Sequence, residues 1–227
     1  MGLTPNAVWL QAGPLQIGQT VVTTWAIVAL LGLGSMWATR NLGLVPGRLQ
    51  TVVEGIVDVM RAAIAGVLPE QADLVLPFVA TLWIFLAVAN VVGVIPGVSS
   101  PTADLSTTCA LAVLTFLFVH WAGIKSVGIR RYLLHYVQPN PIMLPFEILS
   151  ELSRTLTLAI RLFGNIMSLE LAALIVLGIA GFLVPIPLLL LHIVEALIQA
   201  YIFGMLALVY VAGGIEIQRH HFEREAS

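Results

Sequence analysis

The residues with chemistry to offer sit where charge is costly. Two long apolar stretches near the C-terminus hold Glu147, Glu151, Arg154, Arg161 and Glu170 on the first, and His192, Glu195 and Gln199 on the second. An arginine at the centre of a bilayer costs on the order of 3 kcal/mol on insertion scales, so such residues face a protein interior or a wet cavity and mark ion paths. Their spacing is helical. At about 100° per residue, Glu147, Glu151, Arg154, Arg161 and Asn165 fall within a stripe about 80° wide, and Glu170 points to the opposite face. His192, Glu195 and Gln199 follow i, i+3, i+7 and share one face. Carboxylates, an imidazole and a fixed guanidinium arranged this way suit the passage of a small cation.

Arg161 is set apart from the others. Positions 157, 158, 164 and 165 are Thr, Leu, Gly and Asn, so no opposite charge lies one helical turn away. Its partner is expected from elsewhere, including another chain. The remaining polar residues admit plainer readings. Glu151 and Arg154, at i and i+3, also fit an ion pair near a membrane surface; His120 reads as a structural histidine near an interface; Tyr201 and Phe203 read as packing residues.

The elements that must position these side chains follow from composition. Hydrophobic residues make up 59% of the 227 and charged residues only 10%, with a net charge of -2. Soluble domains are roughly a quarter charged, so this chain belongs in a bilayer. No basic patch is present to neutralise phosphates, which excludes nucleic acid as a partner. The single Cys109 excludes an internal disulfide and any multi-cysteine metal site. The first basic residue is Arg40, so no charged n-region of a cleavable signal is visible.

A helical span needs roughly 20 apolar residues. Val21–Ala38 is the first, followed by a Gly43–Gly47 turn. From residue 48 to 70 the pattern becomes amphipathic, with Glu54, Asp58 and Arg61 on one face, and predicts a helix lying in the membrane interface; a marginal span is the alternative. Residues 74–125 form a helical hairpin of two spans, broken at Pro96-Gly97. After a polar connection from Lys125 to Pro145 with Arg130, Arg131 and His135, residues 143–217 form a second hairpin. Its first arm, some 40 residues, would measure about 60 Å, twice a hydrocarbon core, and must tilt, bend or run along the membrane. Its second arm runs from Leu188 to about Gly213 after the Pro185–Pro187 reversal. The expected fold is therefore an all-α integral membrane protein, a single membrane domain over 1–227 with about five spans and one interfacial helix. With five spans, Arg40, Arg48, Arg61, Lys125, Arg130, Arg131, Arg219 and Arg224 fall on one side, which places the C-terminus in the cytoplasm and the N-terminus outside.

The run Arg161-Leu162-Phe163-Gly164-Asn165, followed by Glu170, resembles the signature of subunit a of F-type ATP synthases. Gln199-Ala200-Tyr201-Ile202-Phe203 resembles that family's last-helix motif, with His192 seven residues before the glutamine. Glu147 matches a family carboxylate, Asn90 sits in a similar Asn-x-x-Gly context, and Pro101-Thr102-Ala103-Asp104 resembles the start of the next helix. The likeness covers roughly 54–211. It departs at Ser168-Leu169, where many members have Ala-Gly, and at Gly93, where some have Asp; Glu195 is an added carboxylate. Short external loops and Glu151 are similar to the divergent N-type branch, some of whose members are associated with Na+.

The resemblance implies a membrane-sector stator in a bacterial inner membrane. Its partners would be a rotating ring of c subunits, b-type peripheral stalk subunits and the rest of the synthase. It implies that Arg161 favours the ionised form of a passing ring carboxylate and separates two half-channels. Glu147 and Glu151 would line the cytoplasmic one; Glu170, His192 and Gln199, with Asn90, Asn165 and Glu195 nearby, the external one. The coupling ion is left as H+ or Na+. No Gly-rich, lysine-ended nucleotide loop is present, so no cofactor is expected and the chain alone should catalyse nothing. A self-contained transporter would predict inverted repeats, and none is evident. An intramembrane enzyme built on Ser150 or Ser153 lacks a recognisable nucleophile–base spacing, and no H-E-x-x-H metal motif appears.

Overall fold

The computed structural model describes residues 8–12, 15–40, 43, 47–95, 98, 100–130, 132, 144–180 and 185–225. The described residues form six long α-helices: α1 (Gln19–Thr39), α2 (Arg48–Ala65), α3 (Ala72–Val92), α4 (Leu105–Val127), α5 (Leu144–Ala180) and α6 (Pro185–Glu225). All but α2 are long and apolar enough to cross a membrane. The all-α membrane architecture expected from the sequence is therefore present. Ahead of it, Val8–Ala12 and Leu15–Gly18 pair as a short antiparallel ribbon, β1–β2, to which the sequence reading assigned no structure. The expected Pro96-Gly97 break, the interior of the Gly43–Gly47 turn and most of the polar connection before α5, including Arg131 and His135, lie outside the described residues.

Helix α3 is the centre of the packing. Its most extensive neighbour is α6, and it also meets α1 and α2. In a bilayer, helices associate through close packing rather than water exclusion, which favours small residues at the contact. The buried face of α6 supplies them: Ala196, Ala200, Gly204 and Ala207. Trp83 of α3 occupies the space a side chain at Gly204 would fill, and its indole N–H donates to the Tyr201 carbonyl at 3.2 Å. Leu82, Phe85 and Leu86 of α3 then pack with Leu158, Leu162 and Ile166 of α5 and Phe203 of α6 in one core. A second core joins Ile64 of α2 to Val75 and Val79 of α3 and to Leu208 and Val211 of α6.

The remaining elements follow local rules. Helix α2 is amphipathic, as the sequence predicts, and Arg61 near its end pairs with Asp73 of α3 at 2.6 Å. A single 3-10 turn, Pro101–Ala103, follows α3, and Asp104 then caps α4 by accepting from the Ser106 N–H at 2.9 Å. Helix α5 has 37 residues, close to the expected 40. Helix α6 has 41 and continues past the expected stop near Gly213. Gly213-Gly214 does not end it, because the following Glu-, Gln- and Arg-rich segment has good intrinsic helix propensity.

Candidate functional site

The polar residues of α5 and α6 divide into an open set and a covered set. Arg161 is exposed, on a flank of α5 turned away from the buried Leu158, Leu162 and Ile166. Among the described residues it forms no hydrogen bond or ion pair. Glu147 and Glu151 are half-buried toward the start of α5, about 21 and 15 Å from Arg161 along the helix axis. Their carboxylates likewise have no partner among the described residues. The alternative Glu151–Arg154 ion pair is not formed: the Arg154 guanidinium instead lies 5.0 Å from the centroid of the Tyr210 ring of α6, a cation–π contact.

The covered set begins at Asn165, about one helical turn beyond the exposed arginine. Its Nδ2 donates to Gln199 Oε1 at 2.7 Å, tying α5 to α6. Gln199 is only 2% exposed and His192 only 3%. The Nε2 atoms of both are buried without a partner, a condition that marks places where water or an ion belongs. Glu195 stands one helical turn from His192, at i+3 on the same helix.

Glu170, on the opposite face of α5 from Arg161, turns toward the 3-10 turn. Its Oε1 accepts the Ser100 main-chain N–H at 2.9 Å. From Ser100 a buried polar row runs inward: Ser100 Oγ lies 2.7 Å from Thr102 Oγ1, and Thr102 Oγ1 donates to Asn90 Oδ1 at 2.6 Å. Asn90 Nδ2 then donates to the Ala196 carbonyl of α6 at 3.2 Å. Asn90 and Thr102 are fully buried. Glu170 and His192 make no direct contact among the described residues; the row through α3 joins their neighbourhoods instead. Ser100 and Thr102 were not singled out from sequence. They sit in a turn with no periodicity, and the one available signal was a hydroxyl-bearing run, Ser99-Ser100-Pro101-Thr102, between two apolar spans.

Gly93 explains how Glu170 comes so close. A Cβ there would stand 2.8 Å from Ser100 Cβ and 3.4 Å from Glu170 Oε1. The glycine leaves room for the Ser100–Glu170 contact. His120 makes local contacts, its Nδ1 2.9 Å from the Phe116 carbonyl and its ring against Phe116 and Tyr132, in keeping with a structural role.

This combination of an exposed arginine, an Asn165–Gln199 bridge and a buried Asn90–Glu170 row lies within a segment that matches a known family. The model of the ATP synthase A chain matches residues 21–212. The chain belongs to the ATP synthase subunit a family. It is 60% identical to ATP synthase subunit a 2 of Pelobacter propionicus, covering 90% of each chain. It is 60% identical to ATP synthase subunit a of Legionella pneumophila, over 90% of this chain and 89% of that one. It is 57% identical to ATP synthase subunit a 1 of Hahella chejuensis, over 92% and 89%. As a subunit a family member with five apolar helices, it is a multi-pass membrane component of an ATP synthase.

Proposed function

We propose that this chain is the stator of the ion-translocating membrane sector, carrying H+ or Na+ through two half-channels to and from the carboxylates of a rotating c-ring. The observation that carries this reading is Arg161, exposed and without a partner among the described residues, one turn from the Asn165–Gln199 bridge that ties α5 to α6. A guanidinium stays charged at any accessible pH. Left without a carboxylate of its own, it suits one presented by another chain. A ring site would release its ion before meeting Arg161, and the same charge blocks a straight leak between the half-channels.

In this reading Glu147 and Glu151 line the cytoplasmic half-channel, and Glu170, His192, Gln199, Asn90 and Asn165 line the external one. Glu195 extends the external set, and the unpartnered Nε2 atoms of His192 and Gln199 are water-binding points along it. Helix α2 lies in the interface, the N-terminus faces outward and the C-terminus the cytoplasm of a bacterial inner membrane. The peripheral stalk and catalytic head are other subunits, and the chain has no catalysis of its own.

The test is ATP-driven ion uptake by the assembled complex in sealed vesicles, wild type against Arg161→Ala, with and without Na+. Loss of uptake with ATP hydrolysis retained by the detached head supports the stator. Uptake that survives a neutral residue at 161 overturns it. Dependence on Na+ with resistance to protonophores would identify Na+ as the coupling ion; independence of Na+ and collapse with protonophores would identify H+.

A further inference from the structure

The row between Glu170 and α6 has a direction that its hydrogens dictate. The Ala196 carbonyl can only accept, so Asn90 must turn its Nδ2 toward it, which leaves Asn90 Oδ1 facing Thr102. That oxygen can also only accept, so the Thr102 hydroxyl donates to it. The Thr102 hydrogen being committed, the 2.7 Å contact with Ser100 is completed by the Ser100 hydroxyl. The 3.0 Å approach of Ser100 Oγ to the Ala89 carbonyl then competes for the same hydrogen. Ser100 thus donates its main-chain N–H to Glu170, while its single hydroxyl hydrogen is shared between Thr102 Oγ1 and the Ala89 carbonyl, both of which tie the turn to α3. Aligned donors of this kind reinforce one another where the surroundings are of low dielectric.

We infer that Ser100 and Thr102 are positioning residues for Glu170, fastening the turn before α4 to Asn90 so that the Ser100 N–H holds the carboxylate in place. The inference rests on the reading of Glu170 as part of the external half-channel. Three observations carry it. Ser100 and Thr102 are buried, at 1% and 0% exposure, which is uncommon for hydroxyls without a task. Gly93 leaves the space that the Ser100–Glu170 approach needs. Asn90 anchors the row to the turn of α6 that follows His192. Among the described residues no titratable side chain hydrogen-bonds or ion-pairs with Glu170. The main-chain N–H is thus the contact that orients it.

The experiment is ATP synthesis by the reconstituted complex driven by an imposed ion gradient, with the external ion activity varied and the voltage fixed. Thr102→Val keeps the volume and removes the hydroxyl. It is expected to shift the half-saturating external ion activity roughly tenfold, on the scale of loosening the Ser100 N–H bond to the Glu170 carboxylate that the row holds in place, while the maximal rate per assembled complex stays near wild type. Thr102→Ser should restore it. A merely structural defect would lower the maximal rate and leave half-saturation unchanged, and that result would overturn the inference. Should Thr102→Val fail to assemble, Ser100→Ala, which keeps the N–H but loses the hydroxyl, is read by the same criterion. Glu170→Asp, one methylene shorter, separates the two levels. If it leaves half-saturation at the wild-type value, the external-channel reading of Glu170 fails. If it shifts half-saturation and the hydroxyl variants do not, only the positioning role fails.

Discussion

Arg161 and Asn90 are both polar groups inside long apolar helices, and the molecule treats them in opposite ways. Asn90 is fully buried, with its carbonyl oxygen and amide nitrogen each bonded to a named partner. Arg161 is exposed and bonds to nothing among the described residues. A buried amide left unpaired costs about 1–3 kcal/mol, so Asn90 secures the packing of α3, α6 and the 3-10 turn through its contacts. A guanidinium on an open flank contributes almost nothing to the fold of its own chain. The contrast separates a group that holds the structure from one that, in the proposed reading, is kept for a partner.

The largest expected effect tests the open side of that contrast. Arg161→Ala should reduce ATP-driven ion transport to background while changing the heat resistance of the assembled subunit by no more than about 0.5 kcal/mol, as at surface sites without special contacts. A stability loss as large as the transport loss would mean that Arg161 has a structural partner and that the contrast is wrong. Next comes the covered side. Gly204→Ala places a methyl group onto the Trp83 indole, where α3 packs closely on α6. Overpacking of this kind costs typically about 1–3 kcal/mol, read as subunit a lost from the membrane or released at lower temperature. Smaller again is Asn165→Leu, which takes from the Gln199 side chain, buried at 2% exposure, its one hydrogen-bond partner among the described residues. It should lower stability by about 1–2 kcal/mol and reduce transport without abolishing it.

The same contrast explains what could be read in the sequence. The helices were legible because long uncharged runs leave few other structures in a bilayer, and α1 to α4 stand within a few residues of the expected limits. The opposite placement of Arg161 and Glu170 on α5 followed from the helical period. Gln199 and Asn165 could be assigned to faces, but their mutual bond could not, because it depends on the register of two helices. The Ser100–Thr102 row was invisible for a stronger reason: it forms in a nonperiodic turn and joins residues from α3, α5 and α6 through a main-chain N–H and a carbonyl. Main-chain groups are the same at every position, so no residue type announces them. The continuation of α6 past the expected end near Gly213 fits the rule that glycine ends a helix reliably only when a left-handed cap forms. Among the described residues the one positive-φ glycine is Gly128, at the end of α4.

The smallest effect is expected where a charge pair is most conspicuous. Arg61 and Asp73 approach to 2.6 Å, yet their side chains are 55% and 82% exposed. Exposed pairs of this kind contribute under about 1 kcal/mol. A few residues along α2, Ile64 is completely buried against the face that includes Val75 and Val79 of α3. Truncating a buried isoleucine costs about 2–5 kcal/mol. Arg61→Ala should therefore barely alter retention of α2 against α3, measured by proteolysis of the connecting segment in detergent, whereas Ile64→Ala should open it. Raising the salt concentration should leave the wild type unchanged, since screening weakens only the exposed pair. If Arg61→Ala or high salt instead released α2 as readily as Ile64→Ala, its docking would be electrostatic. In that case the division between fold-holding and partner-facing charges would have to be drawn again, with Arg61 on the structural side.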